Sequence, residues 1–313
     1  MNECIRDETV GARPGGMRRL ARHDDEFPAH LRVIPEAPDF LYVRGTLVRE
    51  DALAVALVGS RRATEYGEGV AEDLGAQLGG RGITVVSGLA RGIDSAGHRG
   101  ALRAGGRTIA VLGSGADVIY PPENRRLAAQ IEASGAVVSQ FAPGTPALPH
   151  HFPLRNRVIA GLALAVVVVE AAERSGALIT ARLAGELGRE VMAVPGRVTS
   201  PESRGAHGLI RDGAALVESW ADVVAALPAR WRACVATPAG DPVAGPPAGR
   251  DRMRPHGDEA VVLGAVGAEP TTLDDIIEKS GVASGRTAAL LLTLELAGRI
   301  RRIGGERFVR VRA

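Results

Sequence analysis

From Leu53 onward, short apolar runs rich in β-branched residues alternate with longer stretches in which apolar residues recur every three or four positions. A strand followed by an amphipathic helix, repeated, builds a parallel sheet covered by helices, an α/β fold. The runs predict strands over 52–58, 83–87, 108–112, 136–139, 163–170, 190–194 and 214–217. After the first of them, Val70, Leu74 and Leu78 stand at i, i+4 and i+8 and give a stripe that can face the sheet. Residues 162–169, LALAVVVV, are apolar at every position, as a strand covered on both faces should be, and are expected at the centre of the sheet.

The periodicity lapses over 228–257, which is rich in Pro, Ala, Gly and Arg and reads as a flexible linker. It resumes over 258–313 with a short helix, a second beginning near Thr272, a third from Ser284 to about Gly298, and two short strands around Gly304 and Gly305. Three helices and a hairpin predict a small winged helix. Its hairpin carries Arg299, Arg301, Arg302, Arg307, Arg310 and Arg312 against Glu306, either a DNA-contacting patch or a solvated wing. Residues 1–22 are expected to be poorly structured and 23–227 to form the sheet domain with its lead-in.

Composition narrows the chemistry. Aromatic residues make up only 3% of the 313 residues, so the core must be built from Ala, Val, Leu and Ile. A net charge of +2 supplies no global field for a polyanion, and any nucleic-acid affinity has to come from a local cluster. Lys279 is the only lysine, so nearly every cation is a planar guanidinium suited to phosphate. Cys4 and Cys234 are too few and too isolated for a disulfide framework or a structural zinc site, and a reducing cytoplasm is the natural compartment. No signal segment opens the chain, and no apolar run reaches the ~20 residues of a membrane-spanning helix.

Four loops following strands carry unusual residues, and in open parallel sheets ligands bind beyond the carboxyl ends of the strands. Gly59-Ser60-Arg61 precedes a helix near Thr64 and outlines an anion site, or equally an ordinary strand-to-helix turn. It lacks the G-x-G-x-x-G of a dinucleotide fingerprint. In SGLARGIDSAGHRGAL, Arg91 and Gly92 lie in a loop, with Asp94 expected as a helix cap four residues before His98. That pair could serve acid–base or metal chemistry, but capping and local packing explain it as well. FPLRNRVIAG places Arg155, Asn156 and Arg157 before the most apolar strand, and Ser175-Gly176 opens a helix after Glu170. Arg61, Arg91, Arg155 and Arg157 are thus expected in one crevice, with Tyr66, Tyr120, Phe141 and Phe152 in adjoining loops. Cationic forks beside rings suit a single-stranded nucleic-acid groove.

VGSRRATEYG, SGLARGIDSAGHRGAL, GGRTIAVLGSGADVIYPPEN, FPLRNRVIAGL, VVVVEAAERSGALITARLAGELGREVMAVPG and GLIRDGAALV, in that order from about Ala54 to Val217, resemble the DNA-processing protein A family (DprA, also called Smf). Residues 23–45 resemble the segment before its sheet, and the tail resembles its winged helix. The resemblance implies an extended Rossmann-like domain, a linker and a winged helix in a non-enzymatic protein without cofactor. It implies single-stranded DNA binding, self-association as a homodimer, protection of incoming DNA in natural transformation, and loading of the RecA recombinase. Carried over by position, the DNA-binding residues are Gly59, Ser60, Arg61, Arg91, Arg155, Asn156, Arg157, Ser175 and Gly176, with Arg61 and Arg157 as principal phosphate contacts. The family's N-terminal SAM-like domain has no counterpart in residues 1–22; either this member lacks it or the chain starts elsewhere, Met17 being a possible initiator. Gln140 and His207 stand where glutamate and asparagine are usual. A second class, a phosphoribohydrolase-like nucleotide enzyme using Glu170, Asp94 or His98, shares the Rossmann-like fold.

Overall fold

The apolar runs over 54–58, 84–87, 108–111, 136–139 and 165–169 become strands buried on both faces, because helices cover the sheet above and below. The computed structural model describes residues 16–236, 258–267, 270–296, 300–303 and 307–310. The chain divides into two compact units, Met1–Val243 and Ala244–Ala313. The first unit holds strands β1 (Arg18–Ala21), β2 (Phe40–Gly45), β3 (Ala54–Gly59), β4 (Thr84–Ser87), β5 (Thr108–Val111), β6 (Ala136–Ser139), β7 (Ala165–Val169), β8 (Glu190–Ala193) and β9 (Ala215–Leu216). Its helices are α1 (Ala29–Arg32), α2 (Glu65–Gly79), α3 (Ile93–Arg103), α4 (Arg125–Ser134), α5 (His151–Leu162), α6 (Gly176–Glu186), α7 (Arg204–Arg211), α8 (Trp220–Ala226) and α9 (Ala229–Arg232).

The strands lie in the order β1-β2-β6-β5-β4-β3-β7-β8-β9. The seven from β6 to β9 are parallel, while β2 pairs antiparallel with both β1 and β6. After β3 the chain steps one way through β4, β5 and β6, then returns to pair β7 on the other side of β3. This reversal opens a crevice beyond the ends of β3 and β7, where doubly wound sheets bind ligands. Alternate residues of β3 serve opposite faces: Ala54, Ala56 and Val58 pack toward Val158, Ile159 and Ala181, and Val55 and Leu57 toward Leu74, Leu78 and Ala96.

The structure corrects three expectations. The most apolar strand, β7, is seventh of nine; its burial needs two flanking strands and two covered faces, not the central place, which β4 holds. Residues 16–22 are not wholly irregular, because β1 pairs along β2, buries Leu20 and lays the Arg19 guanidinium over the Phe40 ring at 4.5 Å. The stretch read as linker does not begin at 228: α9 sets Trp231 against His30 with ring centroids 5.5 Å apart, and the Ala236 amide donates to the Arg81 carbonyl at 3.0 Å. Residues 237–257, the remainder of that stretch, lie outside the described residues, as do 1–15.

The second unit has helices α10 (Asp258–Ala265), α11 (Leu273–Ser280) and α12 (Ser284–Leu296) with strands β10 (Thr271–Thr272), β11 (Ile300–Arg302) and β12 (Arg307–Arg310) in the order β10-β12-β11. This is the winged helix that the sequence predicts. Thr272 caps α11, its hydroxyl accepting from the Asp275 amide at 3.2 Å and donating to the Asp275 carboxylate at 2.7 Å. Val262, Ile276, Leu291, Leu294 and Phe308 form its own core. Of the six arginines read as a basic patch, only the side chain of Arg307 falls within the described residues.

Helices α2 and α3 approach so closely that a Cβ on Gly100 would overlap the Glu72 carbonyl and press on the Ala76 amide. In an open helix Gly→Ala stabilises by up to ~1 kcal/mol, but here the obstacle is backbone. Gly100→Ala is expected to destabilise the first unit by roughly 1–3 kcal/mol, the scale of overpacking, as measured by urea unfolding; a neutral or stabilising result would show that the two helices can separate.

Candidate nucleic-acid interface

The crevice at the strand reversal has a volume of about 790 Å³. One wall is the turn after β3, in which Gly59, Ser60, Arg61 and Arg62 all line the opening. A Cβ on Gly59 would overlap the Val169 carbonyl, which lets β3 and β7 end side by side. The Ser60 amide donates to the Glu170 carbonyl at 2.8 Å. The Glu170 carboxylate in turn accepts from the Thr64 amide at 2.9 Å and the Thr64 hydroxyl at 2.6 Å. Thr64 also caps α2, accepting from the Gly67 amide at 3.1 Å.

The opposite wall is α6, whose N-terminus presents Ser175, Gly176 and Ala177 to the crevice, with Arg174 just before it. Ser175 caps it, the hydroxyl accepting from the Ala177 amide at 3.3 Å. The third wall is α5. FPLRNRVIAG is helical rather than a turn, because Pro153 sits in the first helical turn, where its missing N–H has no acceptor to lose. Phe152, Arg155, Asn156 and Ile159, at i, i+3, i+4 and i+7, share one face and line the crevice. Arg157 follows Arg155 by two residues, about 200° around the helix axis, and pairs instead with Glu36 at 3.1 Å.

Arg155 is 3% exposed. Its nearest anion is the Asp94 carboxylate at 3.9 Å from Nη1, and neither Nε nor Nη1 has a hydrogen-bond partner among the described residues. Burial outweighs the attraction between the pair: it pushes the Asp94 carboxyl above the usual carboxylate range and the Arg155 guanidinium down to about 10, the neighbouring Arg61 lowering it further. A Cβ on Gly88 would lie on top of Arg155 Nη1, so the glycine before the Leu89–Gly92 loop is what admits the guanidinium. A buried, under-satisfied cation at the base of a crevice attracts an anion.

Arg61, Arg62 and Arg174 line the crevice, and among the described residues no carboxylate oxygen lies within 4 Å of them. Arg91 does not line it: it is exposed and ion-paired with Glu123. Of the expected quartet, Arg61 and Arg155 line the crevice together, and Arg91 and Arg157 are ion-paired away from it. Arg62 and Arg174 take their places. Of the rings, Phe152 carries Arg61 at 4.9 Å from its centroid and stands 6.1 Å from Tyr120, which is half exposed. Tyr66 donates to the Pro195 carbonyl at 3.3 Å and Phe141 stacks on His151 at 4.1 Å; neither lines the crevice.

The Asp94–His98 pair has a structural explanation. Gly92 occupies the cap position of α3, and Asp94 lies inside the first turn, accepting from the amides of Gly88 at 3.2 Å and Ala90 at 3.4 Å. His98 is fully buried with Nδ1 2.6 Å from the Thr108 hydroxyl, which itself donates to the Val85 carbonyl at 2.7 Å. With the single hydroxyl proton directed to Val85, Nδ1 must be the donor, which leaves Nε2 a bare lone pair. Nε2 has no partner, and burial, with Arg155 adding to it, lowers the His98 pKa from 6.5 to about 3. Among the described residues no group of His, Cys, Asp and Glu could hold a metal ion, and no helix is long and apolar enough to cross a membrane.

Comparison with known proteins agrees with this architecture. The family model described as DNA recombination-mediator protein A matches residues 18–228, and that of the DprA winged helix domain matches 246–306. Protein Smf of Escherichia coli (strain K12) is 41% identical over 291 residues, 92% of this chain and 76% of that one. The chain is also similar to two solved structures. One is the X-ray structure of DNA processing protein A from Streptococcus pneumoniae, with TM-score 0.64 and 44% identity over 68% of this chain and 75% of that one. The other is DNA processing protein A from Helicobacter pylori, solved for its single-stranded DNA binding mode, with TM-score 0.60 and 26% identity over 67% of this chain and 94% of that one.

Because His98 is neutral when folded and titrates near 6.5 when unfolded, the stability it contributes is fully present above that pH and is lost as pH falls toward about 3. Each pH unit in this window should remove about 1.4 kcal/mol through this one proton. Urea unfolding across that range should therefore show a shallower pH slope for His98→Gln than for the wild type; parallel curves would refute the buried neutral imidazole.

Proposed function

Because this chain belongs to the DNA recombination-mediator protein A family, we propose that it is a single-stranded DNA-binding protein of DNA processing and recombination, and that the crevice between β3, β7 and α5 holds the strand. One observation carries the site: three arginines without ion pairs surround a buried, under-satisfied fourth, beside two rings, at the point where the sheet reverses. Phosphates supply affinity by meeting Arg61, Arg62 and Arg174, with Arg155 behind them, and the α6 amides at Ser175 and Gly176 add positive dipole. Phe152 and Tyr120 offer faces on which unpaired bases stack, and the Asn156 side-chain carboxamide, which makes no hydrogen bond among the described residues, can meet a base edge. A duplex has its bases already stacked inside and presents no such faces. Arg91 and Arg157 are proposed as outer contacts along the emerging strand, since solvent-screened ion pairs such as those with Glu123 and Glu36 hold weakly and can be exchanged for phosphate.

We read this as binding rather than catalysis. What supports that choice is that all three candidates for acid–base chemistry are otherwise engaged: the Glu170 carboxylate by Thr64, Asp94 by loop amides and Arg155, and His98 by Thr108. The proposal includes a cytoplasmic role in protecting incoming single-stranded DNA during natural transformation, with two protein partners, a second copy of the chain and the RecA recombinase. Membership of a family of recombination mediators supports the recombinase as a partner.

Fluorescence titration with oligo(dT) at several salt concentrations tests the site. Arg61→Ala and Arg174→Ala should each weaken binding roughly tenfold, the scale of one charge-assisted phosphate contact. Each should also lower the slope of log affinity against log salt by about 0.7. Arg157→Ala should change less. Wild-type affinity and slope in the Arg61→Ala, Arg174→Ala double variant would overturn the assignment.

A further inference from the structure

Glu202 is one of two acidic residues that line the crevice, and the other, Asp94, is buried beside Arg155. Glu202 belongs to the single turn Pro201–Ser203 before α7, and the Ser60 hydroxyl is its one hydrogen-bond partner among the described residues, at 3.4 Å. No arginine or histidine nitrogen lies within 4 Å of its carboxylate among the described residues, although Arg61, Arg62 and Arg174 line the same opening. The carboxylate therefore does not serve to neutralise the arginines.

The turn that carries it is tied to its neighbours. The Gly205 amide donates to the Ala171 carbonyl at 2.7 Å, tying the start of α7 to the loop after β7. His207 reaches back to Gly196, its Nε2 3.1 Å from the carbonyl. Ser60 in turn is held by the Arg62 amide, which donates to its hydroxyl at 3.1 Å. A carboxylate on this turn repels phosphate and accepts hydrogen bonds only, so the part of a nucleic acid that fits beside it is a base edge bearing N–H donors.

We propose that Glu202 sets a base preference within the crevice, accepting from an exocyclic amine and so favouring cytosine over uracil or thymine. This rests on the proposal above that the crevice holds single-stranded DNA. Cytosine presents an N4 amine at the position where uracil and thymine present the O4 carbonyl, and a carboxylate attracts the first and repels the second. The arginines, which contact phosphate, are indifferent to the base.

Competition between short oligo(dC) and oligo(dU) of equal length, at mildly alkaline pH, compares two bases that differ at this edge without the thymine methyl. Wild type should prefer oligo(dC) by roughly fivefold or more, the lower end of what a good base-edge contact discriminates. Glu202→Gln can accept from the amine of cytosine or donate to the carbonyl of uracil, so it should bind both and lose most of the preference. Glu202→Ala should lose it entirely while binding oligo(dU) more tightly than wild type, as a repulsive charge is removed. Equal wild-type affinities for the two oligomers, or a preference that survives in Glu202→Ala, would overturn the role of Glu202 alone. Absence of binding to either oligomer would overturn the crevice assignment and this inference with it.

Discussion

The crevice depends on one residue that bridges two strand ends. Glu170 closes β7, accepts the Ser60 amide on its carbonyl, and accepts both the amide and the hydroxyl of Thr64 on its carboxylate. To do so it adopts φ 50°, a left-handed conformation rare outside glycine and carrying strain on the order of 1 kcal/mol or more. Three hydrogen bonds, two of them to an ionised acceptor, hold it there. The β3 turn, the start of α2 and the loop leading to α6 are therefore one mechanical unit. Arg61 and Arg174 stand on that unit, and their separation is set by the sheet rather than by loop flexibility.

The second constraint is electrostatic. A chain of net charge +2 has no long-range field to draw in a polyanion, so attraction has to be local. In the first unit this falls to the arginines that line the crevice. Arg99 and Arg103 are clamped by Glu68, Glu72 and Asp73 on the surface of α2 and α3, and Arg107 by Asp51. Arg61, Arg62 and Arg174 are left without such partners around the crevice, and Arg155 is buried behind them with only the distant Asp94 carboxylate. Low-dielectric walls strengthen the field of those that remain free.

Much of this was legible in the sequence, for physical reasons that differ by element. The parallel strands were readable because burial on both faces demands largely apolar runs, and β3 through β7 have them, whereas β8 opens on the exposed Glu190. The strands β1 and β2 were not, since RRLA and FLYVRG are short, half exposed and charged, and their order follows from pairing with distant β6. Gly59-Ser60-Arg61 and Ser175-Gly176 were found because a strand end followed by a helix N-terminus has a local signature. The α5 face was misjudged: FPLRNRVIAG was counted among the loops, yet the i, i+3, i+4, i+7 spacing of Phe152, Arg155, Asn156 and Ile159 was available and separates Arg155 from Arg157. Glu202 has no local signal, because only the fold carries it to Ser60 from 142 positions along the chain.

The central claim is that single-stranded DNA occupies this crevice in the first unit. Hydrogen–deuterium exchange of the full chain with and without oligo(dT) tests it most directly. Binding should slow exchange at the β3 turn around Ser60–Thr64, at the start of α5 and at the start of α6, with little change on the α2–α3 face. Protection confined to the winged helix, with DNA bound and these segments unchanged, would contradict it.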